Sequence, residues 1–306
     1  MGEFSFIQWI RKRQKRGKHT VLGIGDDCAV IDVSPDKLCL ITTDMLVEGT
    51  HFDLKKCALR DVGRKAIACS ISDVAAMGCR ATVAVISICF PNHTSEKYAK
   101  ELYKGIWSLT DKYNIEVVGG DTISGYGPLC INVTMLGKDE GLTPIRRSGA
   151  KAGDVLLVTG ELGGSILGKH LCFEPRQKEG LILNNNFTVH AMIDISDGLT
   201  ADLNHILEES RTGAILYEDQ IPISQAAIKL SKKTGYTPLH HALSDGEDYE
   251  LLLALSKKQS QKVFASGLLG EIRRIGEIVT EQGIKMKYTD GKVRHIRPCG
   301  YEHLKS

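Results

Sequence analysis

Residues 59–90, LRDVGRKAIACSISDVAAMGCRATVAVISICF, decide the fold class. Over 59–77 small and apolar residues recur at helical spacing, and Gly78 follows as a C-cap. Residues 81–90 form a nearly unbroken apolar run, which predicts a central strand covered on both faces and stopped by Pro91. Helical period resumes over 95–113 through Tyr98, Leu102, Ile106 and Leu109. The stretch 117–122, VVGGDT, then returns to β-formers, and 129–136 reads as a further strand. Strands alternating with helices in this way predict an α/β layer.

The breaks between these elements are acidic. VVGGDT reads as a strand running into a Gly-Gly turn that delivers Asp121 and Thr122 at its end, where glycine lets a ligand approach the backbone. Upstream, VLGIGDDCAV at 21–30 puts Asp26 and Asp27 at a turn or strand edge, and LCLITT at 38–43 reads as a strand with Asp44 directly after it. Glu48 and His51 lie in the turn of 46–52, and Asp73 rides the 59–77 helix with Ser70 and Ser72. In the second half AMIDISDGL at 191–199 ends a β-like run in Asp194 and Asp197 before a helix over 200–208. LSDGEDYELLLAL at 243–255 places Asp245, Glu247 and Asp248 in a turn before an apolar strand. Buried carboxylates need a cation, a basic partner or solvent. Their recurrence predicts a polycarboxylate metal site, and the lack of closely spaced His or Cys ligands favours Mg²⁺ over zinc. Such a Mg²⁺ site most often handles a polyphosphate. Glycine-rich 160–168 offers backbone amides to an anion, but neither GxxxxGK[ST] nor GxGxxG occurs.

With 306 residues, two domains are expected. The composition shift at 138–154, KDEGLTPIRRSGAKAGD, divides the chain into 1–140 and 150–306, with Arg146 and Arg147 read either as a phosphate clamp or as linker surface. Further elements are expected as a strand over 155–159, a break at 219–222 before a helix reaching Leu230, a helix over 257–264, and edge strands at 274–279 and 284–288. A net charge of +2, from 39 basic and 37 acidic residues, neither supports nor excludes nucleic acid strongly, and with no long basic patch no nucleic-acid partner is expected. Nine cysteines without C-x-x-C spacing read as reduced thiols. No apolar run is long enough for a membrane span, and an amphipathic stretch at 6–10 precedes the basic run 11–19, the reverse of a signal peptide. A cytoplasmic chain with no membrane partner is expected.

Taken in order, GIGDDCAV (23–30), TTDMLVEGTHF (42–52), ISDVAAMG (71–78), VVGGDT (117–122), RSGAKAGD (147–154), MIDISDGL (192–199) and GEDYELL (246–252) form a series. The series closely resembles the thiamine-monophosphate kinase family, of the superfamily that includes aminoimidazole ribonucleotide synthetase and selenophosphate synthetase. The resemblance implies a two-domain α/β and α+β fold of the aminoimidazole-ribonucleotide-synthetase type, with the N-terminal mixed sheet at the core of a homodimer. ATP, as co-substrate, and Mg²⁺ would lie in the cleft between domains, lined in part by the partner subunit. It implies Asp27, Asp44, Asp73, Asp121 and Asp197 as catalytic metal carboxylates, with Thr42 beside them. Asp26, Thr43, Gly119, Gly120, Thr122, Arg147 and Ser196 would surround the nucleotide. His51, Phe52, Glu247, Asp248, Tyr249 and Tyr301 would shape a pocket for thiamine monophosphate, the acceptor of a direct in-line transfer of the ATP γ-phosphoryl group. Tyr301 stands where tryptophan is frequent, Ser70 where asparagine is common, Ser244 and Asp245 before a position usually led by paired glycine, and Leu304 where phenylalanine is frequent. Among rival readings, selenophosphate synthetase would need a reactive cysteine, and none precedes Gly23; the hydrogenase-maturation member would end in cysteine, whereas GYEHLKS follows Cys299. A catalytically silent nucleotide-binding homologue would bind without turnover.

Overall fold

The structure, a computed structural model, describes residues 11, 20–34 and 37–303. The amphipathic stretch at 6–10, the basic run beyond Arg11 and Leu304 lie outside the described residues. The first half runs β1 (Thr20–Leu22), β2 (Ala29–Ser34), β3 (Lys37–Val47), α1 (Leu59–Ala76), β4 (Arg80–Pro91), α2 (Glu96–Tyr113), β5 (Glu116–Gly125) and β6 (Cys130–Lys138). The second half runs β7 (Val155–Thr159), α3 (Lys169–Cys172), α4 (Gln177–Asn186), β8 (Ala191–Asp194), α5 (Leu199–Ser210) and β9 (Gly213–Tyr217). It continues through α6 (Gln225–Thr234), α7 (Pro238–Ser244), β10 (Leu251–Leu255), α8 (Lys257–Ser266), β11 (Ile272–Val279), β12 (Gly283–Lys287) and β13 (Val293–Ile296).

Two mixed sheets result. The first has strand order β1-β2-β3-β6-β4-β5, antiparallel except for the parallel β4–β5 pair that α2 connects. The second has order β13-β12-β9-β11-β7-β10-β8, antiparallel except at β12–β9. One core lies under the first sheet; the second sheet is covered on both faces, by a cluster including Leu199, Leu203 and Ile206 of α5 and by one including Leu183 of α4 and Val263 of α8. Among the described residues no helix is long and apolar enough to cross a membrane.

Helix α1 joins the two halves. Asp61 accepts from the Ala58 N–H (3.3 Å) at its start, and Gly78, at φ +66°, turns the chain out after its end. Val62, Ile67, Ile71 and Val74 enter the first core. Lys65, Cys69, Ser72 and Ala76, at i, i+4, i+7 and i+11, line the face that meets the second half, in contact with Glu247, the Tyr249 hydroxyl, Asp194 and an apolar cluster respectively. Against α2 the helices cross at glycine. A Cβ at Gly63 would sit 2.1 Å from the Leu102 carbonyl oxygen, and one at Gly105 would sit 1.9 Å from that of Arg60.

Several expectations need correction. Within one chain β4 is covered on one face: Ala81, Ala84, Ile86, Ile88 and Phe90 are buried, whereas the opposite face of the sheet leaves Met45 58%, Val85 39%, Val118 59% and Ile123 57% exposed. An apolar run reports that both faces are apolar, without saying what covers the second. β3 continues past Asp44 to Val47, and VVGGDT lies inside β5 with no turn. Gly120 is instead required by the sheet, because a Cβ there would meet the Ile86 oxygen at 1.9 Å. β11 is central, between β9 and β7, while β13 forms the edge; the charges of Arg273, Arg274 and Glu277 made an interior strand look peripheral.

Gly105→Ala and Gly63→Ala should each destabilise the chain by about 2 kcal/mol or more, as overpacking against backbone does. Gly270→Ala, where an added Cβ meets nothing within 4 Å, is the control. Denaturant midpoints for the three variants measure the difference.

Candidate functional site

Three elements bring carboxylates to the seam between the halves. Asp27 comes from the loop joining β1 to β2, Asp73 from α1 and Asp194 from the last residue of β8. A ligand oxygen of each lies within 4.8 Å of the others. Burial, reinforced by Asp27, pushes the Asp194 carboxyl up to about 8. Burial together with Asp44 and Asp194 raises Asp73 well above the ordinary carboxyl range. Hydroxyls orient the set: Thr42 donates to Asp73 (2.5 Å), Ser72 to Asp194 (2.6 Å) and Ser70 to Asp44 (2.6 Å). Along β3 successive side chains alternate between faces. Thr42 and Asp44 therefore point toward α1, while Thr43 turns to the open face and meets Asn132 Nδ2 at 3.0 Å.

Arg147 is the cation of the group. Its Nη2 and Nε donate to the two Asp27 oxygens at 2.9 and 3.2 Å, and its backbone N–H reaches both Asp26 oxygens at 3.2 Å. Burial would lower the guanidinium, but Asp27 more than reverses that and its pKa rises. Asp26 is pushed up to about 7 by burial and then by Asp27. This arrangement answers the question left open at the domain junction, since Arg147 clamps the acidic pair of the first half.

A second acidic group lies at the start of α5, where Asp197, Asp202 and His205 bring ligand atoms within 4.8 Å of one another. Asp202 accepts from the Asp197 and Gly198 N–H groups at 3.1 and 3.0 Å, and burial followed by Asp197 raises it well above its ordinary value. Burial lowers His205 to about 4.

A cleft of about 820 Å³ opens onto these residues, with Asp44, Asp73, Ser196 and Asp197 in its wall and His51, Glu247, Tyr249 and Tyr301 along it. His51 Nδ1 accepts from the Val47 N–H (3.0 Å), and burial and then His303 lower its pKa, so its ring is neutral at pH 7. The Tyr301 N–H donates to the Asp197 carbonyl (3.0 Å), and the Tyr301 and His303 rings lie 4.8 Å apart, with His303 5.2 Å from His51. The Tyr249 ring stacks on Phe173 at 3.9 Å.

Other predicted residues stand elsewhere. Asp121 pairs in register with Ser87, which pairs with Asn132 and then Met45. That row lies on the open face, opposite Asp44, and three strand spacings put Asp121 roughly 14 Å from β3. Gly119, Gly120 and Thr122 share this exposed edge strand. Phe52 is packed in the first core. Asp248 is buried with its carboxylate occupied by the Gly163 N–H (3.0 and 2.8 Å) and the Ser165 hydroxyl, and it does not line the cleft. Burial lifts it to about 6. The glycine-rich amides do hold an anion, but it is internal: Gly163 serves Asp248 and Gly164 serves Asp245 (3.0 Å). In the sequence Asp194 stands out only as a strand end and not among the implied ligands; its place two residues after Met192, on the same buried strand face, is the available signal. Asp202 and Lys65 were missed because each looks like an ordinary helical charge.

The group of Asp27, Asp73 and Asp194 supplies only oxygen, flanked by hydroxyls, which fits a hard divalent cation such as Mg²⁺.

Comparison with known proteins follows the same lines. The N-terminal domain of AIR synthase related protein matches residues 25–138, and the C-terminal domain of the same family matches 151–289. The thiamine-monophosphate kinase of Rhodopirellula baltica is 39% identical, the match covering 98% of this chain and 97% of that one. That of Buchnera aphidicola subsp. Schizaphis graminum is also 39% identical, covering 99% and 98%. The solved AaThiL complexed with AMPPCP and TMP superposes with a TM-score of 0.81 at 31% identity, covering 99% of this chain and 97% of that one.

The raised carboxyls predict a pH dependence. Between an unfolded carboxyl value of about 4 and the folded value, the native state binds the extra proton, so stability falls as pH rises through that window. His205, lowered to about 4, acts in the opposite sense below its unfolded value of 6.5. Between 6.5 and 8 the carboxyls dominate, with Asp26 at about 7 and Asp194 at about 8. In chelator the melting temperature should fall across this interval, and millimolar Mg²⁺ should flatten the slope. A flat profile in chelator would contradict the assignment.

Proposed function

The chain belongs to the thiamine-monophosphate kinase family of AIR synthase related proteins, and we propose from that membership what each part of its cleft does. It phosphorylates thiamine monophosphate to thiamine diphosphate with ATP as donor. The observation that carries this reading is the carboxylate group of Asp27, Asp73 and Asp194 beside a cleft large enough for two phosphorylated ligands, in a fold whose relative AaThiL was solved with AMPPCP and TMP.

The acceptor oxygen belongs to a phosphate that is already anionic, so no strong general base is needed. The new P–O bond forms to that oxygen as the bond from the γ-phosphorus to the β-phosphate bridge breaks, and ADP leaves with the electron pair. The obstacle is repulsion between two anions. Asp27, Asp44, Asp73 and Asp194 are the residues that would hold Mg²⁺, with Thr42, Ser70 and Ser72 fixing their carboxylates and Asp197 alongside. Mg²⁺ bound there supplies neutralisation of the phosphate charge. Arg147 holds Asp27 in place through both of its oxygens, and Asp26 supports Arg147 from its backbone side. Ser196 and Asp197 face the nucleotide side of the cleft. His51, neutral at pH 7, binds the acceptor and moves no proton. Tyr249 and Tyr301 provide aromatic surface for the thiamine rings, with Glu247 beside them.

A homodimer completes the reading. The apolar open face carrying Met45, Val85, Val118 and Ile123 supports burial against a second copy. Asp121, with Gly119, Gly120 and Thr122 on the exposed edge, then serves the partner's nucleotide, while Thr43 lines this chain's own cleft. The domain division at 140–150 follows the change from the first sheet to the second. Nine unpaired cysteines support a reducing, cytoplasmic setting.

Asp73→Asn and Asp121→Asn should each lower turnover at least about 100-fold, a loss of the size that removing transition-state charge stabilisation produces. Mixed and re-equilibrated, the two inactive variants should recover about a quarter of wild-type activity, because half the dimers are heterodimers and each restores one site. No recovery despite demonstrated subunit exchange would place Asp121 in the site of its own chain. Absence of thiamine diphosphate from wild-type incubations with ATP, Mg²⁺ and thiamine monophosphate would refute the function itself.

A further inference from the structure

Lys65 lies in the middle of α1 with no exposed surface. A buried ammonium survives only with acceptors. Lys65 has two, and they come from different halves of the chain: the His51 carbonyl at 2.7 Å and the Glu247 carboxylate. His51 and Glu247 both line the cleft, whereas Lys65 does not. Its contacts therefore lie one layer behind the wall.

The Glu247 side of this joint is a backbone that local preference does not hold. Gly246, Glu247 and Tyr249 have φ of +73°, +55° and +50°. Left-handed conformations are unfavourable for side chains other than glycine and persist where surrounding contacts over-determine them. The contacts here are Glu247 N–H to the Ser196 carbonyl (2.7 Å), Tyr249 N–H to the Ile195 carbonyl (2.8 Å), and the Lys65 ammonium on the Glu247 side chain. On the other side, Lys65 fixes the carbonyl of His51, whose ring is held by the Val47 N–H. One turn further along α1, Cys69 Sγ donates to the Tyr249 hydroxyl at 3.1 Å. Two acceptor-side loops from separate domains thus converge on one helical face.

We infer that Lys65 is a positioning residue for the acceptor: its buried ammonium locks the His51 loop to the Glu247 loop and so pre-forms the thiamine phosphate pocket. The inference rests on the proposed function, since it assigns these loops to the acceptor. Lys65 bonds to the His51 carbonyl and the Glu247 carboxylate and not to Asp27, Asp73 or Asp194. The Glu247 loop meets the nucleotide side through its backbone bond to the Ser196 carbonyl, which does not involve the Lys65 ammonium, so that side keeps its geometry when the joint is lost. A general staple between domains would disturb both sides alike.

Steady-state kinetics of the full chain separate the two. Wild type, Lys65→Met, Lys65→Arg and Lys65→Gln are compared, varying thiamine monophosphate at saturating MgATP and then MgATP at saturating acceptor. Lys65→Met should raise the acceptor KM about tenfold or more, the effect of losing a charge-assisted bond, and move the MgATP KM less than about twofold. Lys65→Arg, which keeps the charge, should recover part of the loss. Equal rises in both KM values, or an unchanged acceptor KM in a folded Lys65→Met chain, would overturn the inference. If Lys65→Met does not fold, Lys65→Gln, which loses the charge but keeps a donor and does not line the cleft, decides: a selective rise in acceptor KM supports the joint and an unchanged one overturns it. Wild type that makes no thiamine diphosphate overturns the proposed function; wild type that makes it beside an unaffected Lys65→Met overturns the positioning role alone.

Discussion

Asp27, Asp73 and Asp194 converge from a loop, a helix and a strand into a space within which three full negative charges repel strongly. Among the described residues it is the Arg147 guanidinium that bonds to this group, and it is already committed to both Asp27 oxygens and, through its backbone, to Asp26. Thr42, Ser70 and Ser72 orient the carboxylates without neutralising them. Protonation is the response of such a group when it stands alone, and a divalent cation is the response that lets every carboxylate ionise. The chemistry of the cleft follows from that choice. Phosphoryl transfer between two anions needs concentrated positive charge more than it needs a base, and this site is built to gather it.

Helix α1 makes the convergence possible. One of its faces fills the core of the first sheet, and another carries Lys65, Cys69, Ser72 and Ala76 to the second half. Its crossing with α2 is close enough that only glycine fits at Gly63 and Gly105. A helix gripped on all sides can hold Asp73 against residues of another domain with little freedom, which is the condition for a pre-organised site. The same grip places Lys65 between two loops that both line the cleft.

Much of this was legible in the sequence, for reasons that particular residues make plain. The helix over 59–77 and its Gly78 cap obey local rules, and carboxylates such as Asp26, Asp27, Asp73 and Asp194 in apolar surroundings call for a cation, a basic partner or solvent. Face and partner were less legible. Thr42 and Thr43 look equivalent in the sequence, yet strand alternation sends them to opposite sides of the sheet. Gly119 and Gly120 suggested a turn, but they continue an edge strand. Glu247 and Tyr249 adopt left-handed backbone that no local propensity would choose, because bonds to Ser196 and Ile195 from another segment impose it. Asp197 and Asp194 sit three residues apart, and only the end of β8 decides which of them meets Asp27 and Asp73.

The direct measurement is anomalous scattering from crystals of the full chain grown with Mn²⁺ in place of Mg²⁺ and a non-hydrolysable ATP analogue. The account predicts a manganese peak at the carboxylate oxygens of Asp27, Asp73 and Asp194, on the side of the bound analogue. Analogue bound in the cleft with no metal at these three aspartates would contradict it.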